Sequence, residues 1–271
     1  MRQAIGSTLR AAQPVAWLVL GSAALAASAA HAQPAATPAD AGASAPARVL
    51  PTVVVTGTGG VERRAYDTPY AITVVDSDEI RSSGPMVNLS EALARVPGLT
   101  VNQRNNYAQD LQISSRGFGA RSTFGVRGLR LYTDGIPATM PDGQGQVSHF
   151  DLAGAQRIEV LRGPFSALYG NGSGGVISLI SADPKQSRVE FGVDAGSFGL
   201  RQLRAMVETP FGDGWNIRAQ VSGFEFDGFR PQSEARKRQA NVRLGWQGEH
   251  DQLLFQLNSL SQPAQDPLGL T

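Results

Sequence analysis

The chain lacks cysteine entirely and has only three histidines among its 271 residues. Without cysteine it can form neither a disulfide framework nor a thiolate metal site. The histidines, His31, His149 and His250, show none of the spacings of a zinc hydrolase, and the nucleophile motif of serine hydrolases is absent. We therefore expect no enzyme activity, no bound metal and no cofactor.

An excess of charge and a long apolar run are also missing. The formal net charge is +1, so no strong field favours nucleic acid as a partner. Residues 15–30 are apolar but shorter than the ~20 residues of a spanning helix. They follow Arg2 and Arg10 and precede a small-x-small site that ends at Ala32. This pattern predicts a signal peptide over residues 1–32, and any membrane insertion after export would require a β-barrel.

Two segments with different textures follow the predicted signal peptide. Residues 33–48 are rich in alanine and proline, which predicts a linker without a core. Residues 49–57 form a β-prone run. That run is either the first strand of the next domain or a strand that pairs with the sheet of another protein.

Residues 61–184 are expected to form a compact α+β domain. Predicted helices begin near Asp76 and Asn88, each at a residue type that caps helices well. Predicted strands cover residues 70–75, 99–102, 111–114, 129–133, 157–162 and 176–181. The long loops 102–110 and 136–149 are candidates for function, because long loops in compact domains tend to carry it. The glycine-rich run 170–175 precedes a strand rather than a helix, which argues against a dinucleotide site.

From residue 187 onward, apolar and polar residues alternate in about five segments. Strict alternation indicates strands with one apolar and one polar face. Repeated segments of this kind are typical of a membrane β-barrel with a polar lumen, and a soluble β-sandwich is the alternative. Aromatic residues cluster near the segment ends and favour the barrel: Phe211, Trp215, Phe224, Phe226, Phe229 and Trp246.

Several motifs in fixed order resemble the plug domain of TonB-dependent outer-membrane receptors. They are residues 112–118 (QISSRGF), 133–137 (TDGIP), 158–164 (IEVLRGP), 166–170 (SALYG) and 174–177 (GGVI). Ser115 departs from the family's usual isoleucine. The resemblance implies an α+β plug domain followed by antiparallel transmembrane strands of a 22-stranded β-barrel.

The resemblance also implies partners and sites. The TonB box, which would pair with TonB and its inner-membrane energising complex, would comprise Leu50, Pro51, Thr52, Val53, Val54, Val55 and Thr56. Arg116 and Arg162, with Glu159 nearby, would form a latch to barrel carboxylates. The candidate ligand-binding residues are Arg104, Asn105, Tyr107, Asp142, Gln144, Gln146 and His149.

The expected function is energy-coupled uptake of a scarce nutrient across the outer membrane of a Gram-negative cell. A ferric siderophore, a metal-chelate ligand, is the first candidate. Cobalamin, haem, copper and glycans are alternatives within the family, and a passive porin-like channel is a further one. We expect a monomer in outer-membrane lipid, whose barrel domain, residues 187–271, is the start of a longer barrel. Residues 33–49 are too few for the extra periplasmic signalling domain that some family members carry.

Overall fold

A computed structural model describes residues 54–55, 63–68, 70–102, 106–122, 125–170 and 172–268. These residues lie in one compact unit, Pro51–Thr271. The predicted signal peptide and linker lie outside the described residues, as do Arg104 and Asn105. No helix in the described part has the length and apolarity needed to cross a membrane.

Strands dominate the described residues. The helices are α1 (Ser77–Ser82), α2 (Leu89–Leu93) and α3 (Ser166–Tyr169), with one 3-10 turn at Ala65–Asp67. The strands are β1 (Val54–Val55), β2 (Arg63–Arg64), β3 (Ala71–Asp76), β4 (Leu99–Asn102), β5 (Gln112–Ser115), β6 (Leu129–Thr133), β7 (Ile136–Pro137), β8 (Ala155–Arg162), β9 (Gly175–Ser181), β10 (Arg188–Ala195), β11 (Arg201–Phe211), β12 (Trp215–Phe226), β13 (Ala235–Gln247) and β14 (Gln252–Ser261).

A five-stranded sheet forms the centre of the plug, in the order β3-β8-β9-β6-β7. Strands β6 and β9 are parallel, and the other neighbours are antiparallel. The central strands are apolar because helices and loops cover them; Ile158, Ile177 and Leu179 are fully buried. Strands β4 and β5 pair separately as a hairpin.

The two predicted helices begin directly after their predicted capping residues, Asp76 and Asn88. The Asp76 carboxylate accepts a hydrogen bond from the Glu79 backbone N–H at 2.8 Å. Asn88 and Glu91 form a capping box at the start of α2. Leu89 and Leu93 lie on the buried face of α2, so the capped helix covers the plug core.

The alternating segments form an antiparallel meander of β10 to β14 in chain order. The predicted alternation is confirmed by burial. Val189, Phe191 and Val193 are 63–79% exposed on one face. On the opposite face, Gln202 and Arg218 are each 4% exposed. Successive side chains of a strand point to opposite faces, so each strand has an apolar outer face and a polar inner face.

The polar face packs on the plug, whereas the sequence had indicated a wet lumen. Two aromatic assignments, Phe224 and Phe226, are corrected for the same reason, since both pack on Tyr107. Phe224 was expected in an outward girdle, but it is 3% exposed and packs on Tyr107 of the plug, with ring centroids 5.2 Å apart. Phe211, Trp215 and Trp246 do lie side by side on the outer face at one end of the sheet.

Candidate functional site

The contact between the plug and the barrel strands is built from side-chain donors on the barrel and main-chain carbonyls on the plug. Arg218 Nη1 donates to the Gly154 carbonyl at 2.6 Å, and Lys237 Nζ donates to the Val87 carbonyl at 3.0 Å. Arg204 Nη1 donates to the Pro85 carbonyl at 3.0 Å. Hydrogen bonds from charged donors of this kind contribute roughly 1.5–3 kcal/mol each. The plug is therefore held to the barrel strands by several bonds of moderate strength.

Ion pairs reinforce this interface at its edges. The guanidinium of Arg81 on α1 lies 2.7 Å from the Glu190 carboxylate on β10, and Arg188 lies 2.5 Å from the same carboxylate. Arg218, besides its plug contact, pairs with Glu208 at 2.7 Å on the neighbouring strand. Strand register places Glu208 opposite Arg218 on the inner face, so their opposite charges lie beside each other.

Burial alters the titration of three plug groups at this interface. Burial raises the pKa of Glu91, although the backbone N–H groups of Asn88, Met86 and Val87 oppose the change. Burial also raises the pKa of Asp151, against the Gly154 N–H bond and the charge of Arg218. The pKa of His149 is lowered by burial and then by the nearby charge of Lys237. Protonation of these three groups is thus coupled to their burial at this interface.

A cavity of about 150 Å³ lies between the plug and strands β12 to β14. His149, Asp151 and Arg218 contribute to its lining. Thr133 Oγ1 and Asn241 Nδ2 line the same region as buried polar atoms without a hydrogen-bond partner. The walls are mixed, because Ile136, Pro137 and Val242 lie beside the polar groups, and space of this size can hold a few waters at its polar side.

The residues predicted for the latch are brought partly together. Arg116 and Arg162 both lie beside Gly98: a Cβ there would be 4.0 Å from Arg116 Cγ and 3.7 Å from Arg162 Nη1. Gly98 has a φ of 79°, which accommodates this turn. Arg162 donates to Thr73 Oγ1 at 2.8 Å and to the Pro97 carbonyl. Within the described residues, no ion pair joins Arg116 or Arg162 to the barrel, so their carboxylate partners stay a prediction.

Glu159 occupies a different environment from Arg162. Its side chain is fully buried and pairs with Arg157 Nε at 2.8 Å. Residues three apart on a strand point to opposite faces, so Glu159 and Arg162 cannot act on the same surface. Sequence reasoning missed the plug–barrel contacts of Arg81, Arg218 and Lys237; the alternation of β12 and β13 did place Arg218 among the inward residues.

Only Val54 and Val55 of the predicted TonB box lie in the described residues. They form β1, which pairs antiparallel with β2: Val54 lies opposite Arg64, and Val55 lies opposite Arg63. Val55 is fully buried. Leu50, Pro51, Thr52, Val53 and Thr56 lie outside the described residues.

The predicted ligand residues separate into two groups. Asp142, Gln144 and Gln146 lie on a plug loop, where Arg127 Nη2 donates to Gln144 Oε1 at 3.2 Å and lies 3.7 Å from the Asp142 carboxylate. The other group faces the barrel. Tyr107 packs on Phe224 and Phe226, and the His149 carbonyl accepts bonds from Gln239 and Asn258. In the described residues, no cluster of three or more carboxylates and histidines could hold a metal ion.

These features define a class of protein, in which a small α+β domain packs on the polar inner face of an antiparallel membrane sheet, as in a plugged β-barrel. Residues 64–177 match the family model of the TonB-dependent receptor plug domain. Residues 64–177 are thus a plug domain of the TonB-dependent receptors, a family of outer-membrane proteins of Gram-negative bacteria with the plug toward the periplasm.

Curated relatives are similar over half to two thirds of the chain. A hemin receptor of Yersinia enterocolitica is 35% identical over 138 residues, which cover 50% of this chain and 19% of the relative. A vitamin B12 transporter of Photobacterium profundum is 33% identical over 187 residues, which cover 67% of this chain and 29% of the relative. The chain thus spans less than a third of the length of these relatives. They are receptors and transporters, not enzymes.

Solved structures agree with this fold. The ferric-catecholate import receptor Fiu of E. coli K12, in its open form, superposes with a TM-score of 0.59 at 25% identity. The match covers 74% of this chain and 28% of that one. The ferric yersiniabactin uptake receptor FyuA of Yersinia pestis superposes with a TM-score of 0.57 at 24% identity, covering 71% of this chain and 32% of that one, and supports the fold alone.

Proposed function

We propose that the complete protein carrying this chain is an energy-coupled receptor that takes up a scarce nutrient across the outer membrane. The observation that carries the proposal is the way the plug is fastened. Barrel donors bind plug main-chain carbonyls at Pro85, Val87, His149 and Gly154. Bonds of roughly 1–3 kcal/mol each hold a plug closed in aggregate, yet can be broken one after another under load.

In this proposal TonB, with its inner-membrane energising complex, supplies the load. The TonB box around β1 binds TonB by adding a strand to its sheet. The pulled plug exchanges its barrel bonds for water and opens a path. The barrel has 22 strands, stays monomeric in outer-membrane lipid, and meets the plug through further contacts of Arg116 and Arg162.

For the cargo, a ferric siderophore is the first candidate. The plug loop with Arg127, Asp142 and Gln144 offers a guanidinium and hydrogen-bonding groups, and Arg104, Asn105, Tyr107, Gln146 and His149 complete the proposed set. Guanidinium and aromatic groups suit anionic catecholates. Haem is the second candidate, favoured by 35% identity to a hemin receptor. Cobalamin, copper and glycans remain alternatives.

The coupling strand is tested by two deletions of equal length in the complete receptor. Removing residues 50–56 should abolish ligand-dependent uptake, while removing residues 38–44 from the Ala/Pro-rich segment should leave uptake intact. Uptake of radiolabelled ferric enterobactin, haem and cyanocobalamin is measured in cells with and without active TonB. Uptake that survives removal of residues 50–56 would make the protein a passive channel. Uptake of haem alone would replace the siderophore assignment.

A further inference from the structure

On the outer face of the barrel sheet, strand register places residues of neighbouring strands side by side in rows. At one end, Phe211, Trp215 and Trp246 form an aromatic row, with neighbouring ring centroids 6.3 and 6.2 Å apart. Apolar rows follow along the strands, such as Val207, Ala219 and Val242. An aromatic row bordering an apolar band marks one boundary of the membrane.

The opposite end of the same face carries arginine. Arg201, Glu225 and Arg236 lie side by side on β11, β12 and β13, and Arg238 lies two residues further into the sheet. All four are exposed. Among the described residues, none of the three guanidiniums has a hydrogen bond or ion pair. Arg201, Arg236 and Arg238 stand against Glu225 and against Glu234, which borders the same depression as Arg236. This surface, here called the basic rim, therefore has a small excess of positive charge.

The distance between the two ends places the basic rim at the second membrane boundary. Ten residues separate Trp215 from Glu225 along β12. At ~3.3 Å per residue and a tilt of ~40°, they span roughly 25 Å across the membrane, the height of the apolar band of outer-membrane barrels. Short turns at residues 212–214 and 248–251 lie at the aromatic end, and the longer connection 227–234 lies at the basic end. Short turns are periplasmic, so the basic rim faces the outer leaflet.

A shallow groove of about 370 Å³ adjoins the basic rim on its membrane side. Its floor is made of small residues: Gly223, Ala240, Ser259 and Ser261. Arg238 borders this groove, and Arg236 borders a second depression of about 270 Å³ beside Pro263 and Gln265. An occupant must therefore combine an anion at the boundary with an apolar part that reaches into the band.

We propose that the basic rim and its groove form a binding site for a phosphorylated lipid of the outer leaflet. The phosphate accepts hydrogen bonds from Arg236 and Arg238, with Arg201 adding charge. One acyl chain lies along the small-residue groove. Guanidiniums facing the membrane boundary without partners would otherwise carry a desolvation cost, and a bound phosphate offsets it. The site is separate from the plug and independent of the transported ligand.

The test uses the complete receptor in mild detergent, with bound lipid counted by native mass spectrometry. The probes are diphosphorylated lipid A, its dephosphorylated form and inorganic pyrophosphate. The R236Q/R238Q double variant removes two charges from the basic rim. The matched control R95Q/R121Q removes two charges from exposed plug positions. Heat-modifiable migration on gels confirms that every variant is folded.

Diphosphorylated lipid A should bind the wild type and the control equally, and the R236Q/R238Q variant about 25-fold more weakly, at about fivefold per arginine. Equal binding by the double variant would refute the site. Equal binding of dephosphorylated lipid would show that phosphate is not recognised. Displacement by equimolar pyrophosphate would indicate a free-phosphate site, and a variant-dependent loss of dimers would indicate a second copy on this face; both outcomes overturn the proposal.

Discussion

Arg81 on the first plug helix lies 2.7 Å from Glu190 on the first barrel strand, and Arg188 of the same strand shares that carboxylate. The two arginines differ in what they connect. The Arg81–Glu190 pair connects the plug to the barrel, whereas the Arg188–Glu190 pair lies within a single barrel strand. This difference provides a matched pair of variants.

Replacing Arg81 with glutamine should loosen the plug, and replacing Arg188 with glutamine should not. The Arg81 and Glu190 side chains are 31% and 29% exposed, so solvent screening limits the loss to about 1 kcal/mol. That loss corresponds to about a fivefold larger population of open plug. Entry of a dye too large for porins, measured in cells with the complete receptor, reports the population. Equal entry in both variants would rule out Arg81 as a plug fastener.

Reversal of charge at Arg162 should also increase passive dye entry. Arg162→Glu loses the donors to Thr73 and Pro97, two bonds of about 1 kcal/mol each, and any pairing with barrel carboxylates. Arg162→Lys keeps the charge and one donor, and should leak less than Arg162→Glu. If Arg162→Glu leaks no more than the wild type, the predicted latch role is wrong.

Loss of the Arg218 side chain should be far more costly than loss of Arg81. Arg218 and Glu208 are 5% and 13% exposed, so Arg218→Met leaves a buried carboxylate and the Gly154 carbonyl without their donor. Breaking one side of a buried pair costs roughly 3–5 kcal/mol. Adding Glu208→Gln should recover part of that loss. Urea unfolding of the refolded receptor measures both values, and no recovery in the double variant would contradict the pairing.

Acidification should weaken the interface through His149. Its pKa in the folded protein lies below the unfolded value of 6.5, because burial and then Lys237 disfavour the charged ring. The unfolded state therefore binds more protons between those two pKa values, and stability is lost as pH falls from about 6.5 toward the folded pKa. Glu91 and Asp151 act in the opposite direction, because their raised pKa values favour the folded state at lower pH.

The effect of His149 is isolated by subtracting the free energy of unfolding of the His149→Gln variant from that of the wild type at each pH. Glutamine keeps the backbone carbonyl that binds Gln239 and Asn258. The difference should shrink between pH 7.5 and 5.5, as followed by urea unfolding. His250→Gln, at an exposed turn, serves as the control. If the difference in the free energy of unfolding stays constant over this pH range, His149 is not the acid-sensitive group.

The barrel strands were predictable because their pattern is local. A strand between lipid and polar surroundings must alternate, and the alternation around Arg218 can be read without knowing what covers it. The capping residues Asp76 and Asn88 located the helices for the same reason. Helix α3, Ser166–Tyr169, was missed because a single turn has no periodicity.

The partners across the interface were not predictable from local sequence. Nothing near Arg81 indicates that Glu190, 109 positions later, will accept its hydrogen bonds. Tyr107 was read as a ligand residue on an outward loop, and its contact with Phe224 depends on how the loop meets the barrel wall. Donors that bind main-chain carbonyls leave no sequence signal on the acceptor side, so Val87 and Gly154 could not be identified.

The pairing of β1 with β2 determines how a pull on the N-terminal side would be transmitted. In an antiparallel pair, the start of β1 and the end of β2 lie at the same end, with Val54 opposite Arg64. Tension between a point before Val54 and the plug after Arg64 therefore opens this hairpin like a zipper, one rung at a time, rather than shearing all rungs together. The hairpin would yield at low force and lengthen the tether before the plug sheet itself comes under strain.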